Sequence, residues 1–213
     1  MIDLKALKID VDGAVVWLRL NRPQRANALD RGLFRDLVRA CEWVDAQPQL
    51  RVAVLVGEGK HFCAGADIAL LEDLRRIGSS HGCAAEARDA VRREIRVLQS
   101  ALTAIEQLRI PVIAAVHGAC IGAGVDLIAA CDLRYAAADA RFCIKEVDMA
   151  IVADVGTLQR LRHVIGLPTL GELAYTAETF SATRAHEIGL IASPYESRET
   201  LFAEVENLAR RIA

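Results

Sequence analysis

Three carboxylates occur at fixed spacing in segments that are otherwise small and apolar. Asp126 closes the run GAGVD, Glu146 follows twenty residues later, and Asp154 follows after a further eight. The apolar residues 149–153, which separate the last two acids, predict an interior position. A buried charge without a partner is unfavourable, so such carboxylates usually pair, shift their pKa or do chemistry. Two acids with separated pKa values could act as a general base and a general acid.

Two glycine-containing loops each follow a predicted buried strand and open a helix near an aspartate. They read HFCAGAD over residues 61–67 and HGACIGAGVD over residues 117–126. Side by side, such loops could direct two backbone N–H groups at one oxygen, as an oxyanion hole does. Tight helix–strand packing is the alternative for either loop alone. The spacing GxxxGxG, with no Lys-Ser/Thr after it, argues against a Rossmann or P-loop nucleotide site.

Each acid also has a structural alternative. Asp126 could cap the helix after Gly124, and Asp154 could cap a helix that starts at Val155. Glu146 could pair with an arginine, either Arg141 or Arg162. Several other polar or aromatic residues favour structural roles, among them a surface ion pair for the first and core positions for the last two: Asp148, Asp132, His61, His117, Tyr135 and Trp17.

The elements around these residues alternate between strands and helices, which predicts an α/β fold. Asp12-Gly13 predicts a hairpin between two strand-like runs. Helical spacing begins at Asp30 and at Asp67 and recurs over residues 88–109, where Pro111 prevents continuation. Buried strands are predicted for RVAVLVG and PVIAAV, further strands for LRYAA and RFCI, and short helices for most of the remainder. Residues 78–86 predict a flexible connection.

The last predicted helix covers residues 197–212 and has an apolar face that requires a partner. That partner could be the core, another subunit or a segment beyond Ala213. The face consists of Leu201, Phe202, Val205, Leu208, Ala209 and Ile212.

Composition narrows the possible classes of function. A chain of 213 residues, 53% hydrophobic and 25% charged, fits one soluble globular domain with a sizeable core. The net charge of −2, without a basic block, argues against nucleic-acid binding. No targeting segment and no apolar run of about 20 residues is evident, so we expect no membrane partner and a cytoplasmic location. The six cysteines lack metal-ligand spacing, which favours buried thiols and no metal site.

The segments LNRPQRANAL, HFCAGADI, PVIAAVHGACIGAGVDLIAACDLRYA and the following F-x-x-x-E resemble the enoyl-CoA hydratase/isomerase (crotonase) family over residues 5–213. Within it, GVDL, KEVD and ADVGTLQRL are similar to the Δ3,5-Δ2,4-dienoyl-CoA isomerase branch. Hydratases usually have Glu at the position of Asp126 and Gly at that of Asp154. The resemblance implies a crotonase-like spiral of repeated ββα units, with a catalytic core over 1–195 and a C-terminal helical region beginning at 196–213. Family members continue further, so the rest of that region is expected to be absent.

The resemblance also implies an activity and its residues. The expected substrate is an acyl-CoA thioester, with no separate cofactor, and the expected assembly is a homotrimer or hexamer. The expected reaction moves the double bonds of 3,5-dienoyl-CoA to the 2,4 positions during β-oxidation. The implied catalytic residues are Glu146, Asp154 and Asp126, with oxyanion donors at the backbone N–H groups of Ala66 and Ala123. The implied substrate and CoA path includes Arg25, Ala26, Ala28, Ala64, Asp67, Ile68, Ala69, Leu70 and Gly124.

The division of work between the acids stays open at this point. We favour Glu146 as the group that acts at C2, Asp154 at C6, and Asp126 in support. An enoyl-CoA hydratase, which adds water with two carboxylates, is the alternative enzyme. A non-catalytic binding protein on the same fold is a third hypothesis.

Overall fold

A six-stranded sheet lies at the centre of the fold. The computed structural model describes residues 2–79 and 82–213. Strands β1 (Leu7–Asp12) and β2 (Val15–Leu20) form the antiparallel hairpin predicted at Asp12-Gly13. From β2 onward each neighbouring pair is parallel, in the order β1-β2-β3-β4-β6-β9. The other four strands are β3 (Val52–Gly57), β4 (Val112–Val116), β6 (Leu133–Ala137) and β9 (Pro194–Tyr195).

A second, three-stranded sheet has the order β5-β7-β8. Its strands are β5 (Ala119–Ile121), β7 (Arg141–Cys143) and β8 (Phe180–Ser181). Sequence analysis predicted β7 but not β5, β8 or β9. These three strands have only two or three residues each, too few for an alternating pattern to be recognised.

Helices cover both faces of the larger sheet and confirm the predicted α/β class. The first, α1, begins after Asp30, whose side chain accepts a hydrogen bond from the Leu33 amide at 2.8 Å. The predicted connection over residues 78–86 is shorter in sequence than expected, because the helices on both sides extend into that range. Residues 80 and 81 lie outside the described residues. The helices are α1 (Arg31–Asp45), α2 (Ile68–Ser79), α3 (Ala84–Glu106), α4 (Ala123–Ala129), α5 (Thr157–Leu161), α6 (Leu167–Thr176), α7 (Ala182–Glu187) and α8 (Arg198–Ile212). Within the described ranges, no helix has the length and apolar character needed to cross a membrane.

Helix α8 answers the question that its apolar face raised. It packs against β3, β4, β6 and β9. Leu201, Val205 and Ala209 are buried there in one cluster with Trp17 and Ile113. The partner of this face is therefore the protein's own sheet, which corresponds to the core among the three alternatives.

The apolar run at 149–153 is a second correction. Met149, Ile151 and Val152 are 49%, 43% and 66% exposed, and only Ala153 is buried. The backbone explains this: residues 146–149 form a single 3₁₀ turn, and Ala150 ends it in a left-handed conformation with φ of 55°. An apolar sequence run indicates burial in the monomer only when a regular element carries it into the core. Here it forms an exposed apolar surface beside Glu146.

Candidate active site

The two glycine loops lie side by side, as predicted. The Ile121 amide donates to the Cys63 carbonyl at 3.0 Å, and a β-bridge joins Cys63 to Cys120. The approach is close because both loops have glycines at the contact. A Cβ at Gly65 would lie 3.1 Å from the Ile121 oxygen, and one at Gly124 would lie 2.7 Å from the Cys63 oxygen. Larger residues would force the loops apart.

The two amides that the resemblance implies as oxyanion donors, one in each loop, have no acceptor among the described residues. The residues on both sides of Ala66, Gly65 and Asp67, exchange hydrogen bonds of 2.8 and 2.9 Å with Leu29, so the Ala66 amide faces away from that bridge. Ala123 is the first residue of α4, and an N–H in the first turn has no intrahelical acceptor. Neither amide donates a hydrogen bond to another residue of the described ranges. Both are available to an oxygen of a ligand.

Glu146 lies directly beside the second loop. A Cβ at Gly122 would be 3.2 Å from Glu146 Oε1, and Gly122 precedes the free amide of Ala123. The Gly122 amide donates to the Cys143 carbonyl at 2.8 Å, which ties the loop to the strand that leads to Glu146. Glu146 Oε2 is buried and has no hydrogen-bond partner among the described residues. Burial raises the pKa of Glu146 to about 7, and the charges of Asp126 and Asp154 add to the rise.

Asp126 is fully buried in α4. Its Oδ1 accepts a hydrogen bond from the Thr157 amide at 2.6 Å, whereas Oδ2 has no partner within the described chain. Asp126 therefore binds the start of α5 instead of capping its own helix, which Gly122 precedes. Burial raises the pKa of Asp126 to about 6, hydrogen bonds from Thr157 oppose the rise, and the charge of Asp154 adds to it.

Asp154 stands on a short loop before α5. Helix α5 begins at Thr157 with Gly156 at its N-cap position, so the capping alternative for Asp154 is wrong. The Asp154 carbonyl accepts a hydrogen bond from Gln99 Nε2 at 2.6 Å. Burial raises the pKa of the half-buried Asp154 carboxyl, and its own amide opposes the rise.

The structure brings these three acids together, and the charge of Arg160 offsets only a small part of the rise in the pKa of Asp126. The pKa of Glu146 responds to both Asp126 and Asp154, and that of Asp126 responds to Asp154. None of the three forms an ion pair with a described residue, so the proposed pairing of Glu146 with an arginine is wrong. Mutual repulsion and burial favour retention of a proton by this group near neutral pH.

Asp67, at the end of the first loop, has the opposite surroundings. It is buried and pairs with Arg22 at 3.1 Å and Arg25 at 3.4 Å, and its Oδ1 accepts from the Ala69 amide at 3.1 Å. Burial alone would raise the pKa of Asp67, but the Ala69 amide and the two guanidinium groups outweigh it and lower the pKa. Sequence analysis missed Arg22, which also pairs with Asp30 at 3.0 Å. Its place in the quoted segment LNRPQRANAL was the one signal available.

The other predicted CoA-path residues fall into two groups. Ala26 ends the 3₁₀ turn at Pro23–Arg25 in a left-handed conformation with φ of 47°. Its carbonyl accepts from the Ala64 amide at 2.9 Å, so this turn is tied to the first loop. Leu70 and Gly124 are buried instead. Residues of the first group lie at least partly exposed along this edge: Arg25, Ala26, Ala28, Ala64, Ile68 and Ala69. Ligand contact by either group stays a prediction.

Most of the structural roles predicted for other residues are confirmed. Asp148 pairs with Lys145, and Asp132 Oδ2 accepts from the Val112 amide at 2.8 Å. His61 Nδ1 accepts from the Ala119 amide at 3.1 Å, and His117 Nε2 lies 3.1 Å from the Gly59 carbonyl. Trp17 is buried, whereas Tyr135 is only partly buried. The six cysteines form no disulfide bonds, and all of them are buried except the exposed Cys83.

Residues 10–213 match the family model described as enoyl-CoA hydratase/isomerase. The chain belongs to the enoyl-CoA hydratase/isomerase family. Over 209 residues it is 45% identical to the peroxisomal Δ3,5-Δ2,4-dienoyl-CoA isomerase of Arabidopsis thaliana, covering 98% of this chain and 75% of that protein. It is 39% identical over 209 residues to the human mitochondrial Δ3,5-Δ2,4-dienoyl-CoA isomerase, covering 93% of this chain and 61% of the human protein.

A solved structure supports the fold independently. The crystal structure of an enoyl-CoA hydratase from Bacillus anthracis superposes with a TM-score of 0.85 at 31% identity. The match covers 98% of this chain and 76% of that one. The predicted crotonase-like fold is therefore confirmed.

In this member of the enoyl-CoA hydratase/isomerase family, the two glycine loops and the segments beside them supply two kinds of group. Ala66 and Ala123 offer amide N–H groups that suit a developing negative oxygen. Glu146, Asp126 and Asp154 offer carboxylates with raised pKa values, which suit proton transfer near neutral pH. Such an arrangement can form an enolate from a thioester and then return a proton to a different carbon.

Proposed function

We propose that this protein isomerises 3,5-dienoyl-CoA to 2,4-dienoyl-CoA through a dienolate. One observation carries the proposal: Glu146 lies beside the glycine loop that offers the Ala123 amide, its pKa is raised by Asp126 and Asp154, and none of the three acids forms an ion pair with a described residue. The named isomerase relatives from Arabidopsis thaliana and human support the same reaction. We infer an acyl-CoA thioester as the substrate, since those names specify dienoyl-CoA.

In the first step Glu146 takes the proton from C2. The C2–H electron pair delocalises over C3 to C6 and onto the thioester oxygen, where the Ala66 and Ala123 amides stabilise the charge. Loss of one such donor typically reduces the rate by about 10²–10³. Because the raised pKa of Glu146 lies near 7, its carboxylate is a stronger base than an ordinary glutamate.

In the second step Asp154 gives a proton to C6. A C6–H bond forms, and the double bonds come to rest at C2–C3 and C4–C5. C2 and C6 are too far apart for one carboxylate to serve both, so two acids are needed. Glu146 must then lose the proton it gained and Asp154 must regain one before the next turnover.

A direct assay tests this proposal. Incubation with a 3,5-dienoyl-CoA should produce the ultraviolet absorbance of the conjugated 2,4-dienoyl thioester. Faster turnover of crotonyl-CoA than of any dienoyl substrate would favour the hydratase hypothesis instead. Absence of both activities, together with CoA-independent capture of a macromolecule that survives Glu146→Gln, would favour a non-catalytic binding protein.

We also propose that the protein assembles as a trimer or hexamer. The family resemblance suggests it, and the exposed apolar side chains of Val147, Met149, Ile151 and Val152 supply a surface that a second copy could bury. Light scattering at micromolar concentration tests this. A strictly monomeric protein would contradict it.

The cellular location is a separate question. The relatives are named as peroxisomal in Arabidopsis thaliana and mitochondrial in human. The cytoplasmic location predicted from the sequence stays a prediction, which fractionation of the source cells would test.

A further inference from the structure

The loop that carries Asp154 is held by contacts from three separate helices. Gln99 of α3 donates to the Asp154 carbonyl at 2.6 Å, and Arg160 Nη1 of α5 donates to the Val155 carbonyl at 3.3 Å. Asp126 of α4 accepts from the Thr157 amide at 2.6 Å. Residues 151–156 belong to no helix or strand, and their backbone hydrogen bonds to described residues lie at the two ends, from the Ile151 amide to the Glu146 carbonyl and from the Arg160 amide to the Gly156 carbonyl. Between those ends the loop is held by these side chains.

Gln99 has a particular place among the three contacts because it binds Asp154 itself. The Asp154 carboxylate makes no ion pair and no side-chain hydrogen bond with another described residue. The orientation of this acid is consequently set by its backbone, and Gln99 is the side chain that fixes that backbone.

Packing does not replace that contact. A cavity of about 630 Å³ lies against the same loop and borders Asp154, Val155 and Gly156. Its other walls come from α3, α5 and the end of α4, with Gln99 and Arg160 among them. A loop beside open space can shift when its hydrogen bond is removed, whereas a loop in a close-packed core cannot. A displacement of about 1 Å at a catalytic group can reduce the rate by about 10²-fold.

We propose that Gln99 is a positioning residue that places the Asp154 carboxyl for proton transfer to C6. The proposal rests on the isomerase function proposed above. It predicts that loss of Gln99 impairs the second half of the reaction and spares the first. Glu146 makes no hydrogen bond to Gln99 or to Asp154 within the described residues, and its contact with the loop is the Ile151 amide, which donates to the Glu146 carbonyl at 3.1 Å.

The decisive variant is Gln99→Met, which keeps the length of the side chain and removes its donor. We expect kcat for isomerisation to fall about ten- to a hundredfold, with KM within about twofold. Exchange of the C2 proton with deuterated solvent should continue, because Glu146 still forms the dienolate. Gln107→Met is the matched control, since Gln107 is exposed at the end of the same helix and should behave as wild type.

A second variant tests the hydrogen bond separately from packing. Gln99→Glu has nearly the same shape, but an ionised carboxylate cannot donate to the Asp154 carbonyl. When Glu at position 99 is protonated, it regains a donor. The ratio of variant to wild-type kcat should therefore rise as the pH falls, and the ratio cancels the titration of groups that both proteins share. Gln107→Glu should show a flat ratio.

The outcomes separate cleanly. A folded Gln99→Met variant with wild-type kcat would overturn the positioning role while leaving the isomerase function intact. Equal loss of C2 exchange and isomerisation would also overturn it, because that pattern indicates general disruption of the site. A wild-type protein that converts no dienoyl-CoA would overturn the isomerase proposal itself and the inference with it.

Discussion

The two glycine loops have the same design and opposite electrostatics. Each follows a buried strand, packs its backbone against the other, and leads to a buried aspartate. Asp67 after the first loop pairs with Arg22 and Arg25, and its pKa is lowered. Asp126 after the second loop forms no ion pair with a described residue, and burial raises its pKa to about 6 although the charge of Arg160 opposes the rise.

The difference arises from the segments that the fold places opposite each loop. The first loop faces residues 22–30, which supply two arginines. The second faces residues 143–157, which supply Glu146 and Asp154 instead. A loop motif therefore determines where a backbone N–H points, while the neighbouring segment determines whether the adjoining acid is held as an ion or poised to exchange a proton.

The largest expected effect concerns the acids beside the second glycine loop. Glu146→Gln and Asp154→Asn keep shape but cannot exchange protons as carboxylates do, so each should reduce turnover by about 10²–10⁴. Substrate binding should stay nearly unchanged in both. Solvent deuterium distinguishes them: Glu146→Gln should fail to exchange the C2 proton, whereas Asp154→Asn should still exchange it. The reverse pattern would exchange the two roles.

A smaller loss is expected where the second loop contacts Glu146. Gly122→Ala would put a Cβ 3.2 Å from Glu146 Oε1, on a backbone with φ of 50° that disfavours alanine. Displacement of the base and of the neighbouring Ala123 amide should reduce kcat about ten- to a hundredfold. Gly82→Ala is the control, because a Cβ there has nothing within 4 Å and no left-handed backbone to strain. Wild-type kcat in Gly122→Ala would contradict this contact.

Sequence patterns predicted the regular elements well but the surroundings of the acids only in part. Long periodic helices such as α1 and α3, and buried strands such as β3 and β4, follow from hydrophobic periodicity. Strands β5, β8 and β9 were missed because they are two or three residues long. The contact of Asp126 with the Thr157 amide spans 31 residues, and no local pattern encodes it.

The exposure of residues 149–152 and the burial of the apolar face of α8 also depend on long-range contacts, which local sequence patterns do not encode. Both segments are apolar, yet one lies on the surface and the other is buried on the sheet. Hydrophobicity predicts that such surfaces need a partner, but the three-dimensional path of the chain decides which segment finds one. Likewise, Arg22 and Gln99 act through contacts 45 and 55 residues away.

Asp67→Asn would remove the charge that pairs with the arginines of the first loop. We expect a loss of about 2–3 kcal/mol in the free energy of unfolding at pH 7, because Asp67 is buried and the partly buried Arg22 would retain Asp30 alone as an ionic partner among the described residues. If the loop lines the CoA path, KM should rise while kcat changes little. Urea titration and steady-state kinetics measure the two effects. Asp73→Asn, at an exposed ion pair, should change stability by less than about 1 kcal/mol.

Asp126→Asn should have the smallest effect on activity and the opposite effect on stability. The pKa of Asp126 is about 6 in the folded protein against an ordinary value of 3.8, so folding favours its protonated form. This preference stabilises the folded state fully below pH 3.8, and the stabilisation is lost as the pH rises through 6. Asparagine can still accept from the Thr157 amide and carries no buried charge. The variant should therefore be more stable than wild type by about 1–2 kcal/mol at pH 8 and nearly equal at pH 4.

The same substitution also tests whether Asp126 tunes the base. Since the charge of Asp126 raises the pKa of Glu146, its removal should move the acidic limb of the pH–rate profile to a lower pH than the wild-type value of about 7. Denaturant titrations at pH 4 and 8, together with kcat/KM across pH 5 to 9, measure both effects. A variant that is less stable at pH 8, or an acidic limb that does not move, would place Asp126 with Asp67 as a structural carboxylate. The electrostatic contrast between the two loops would then have no part in the chemistry.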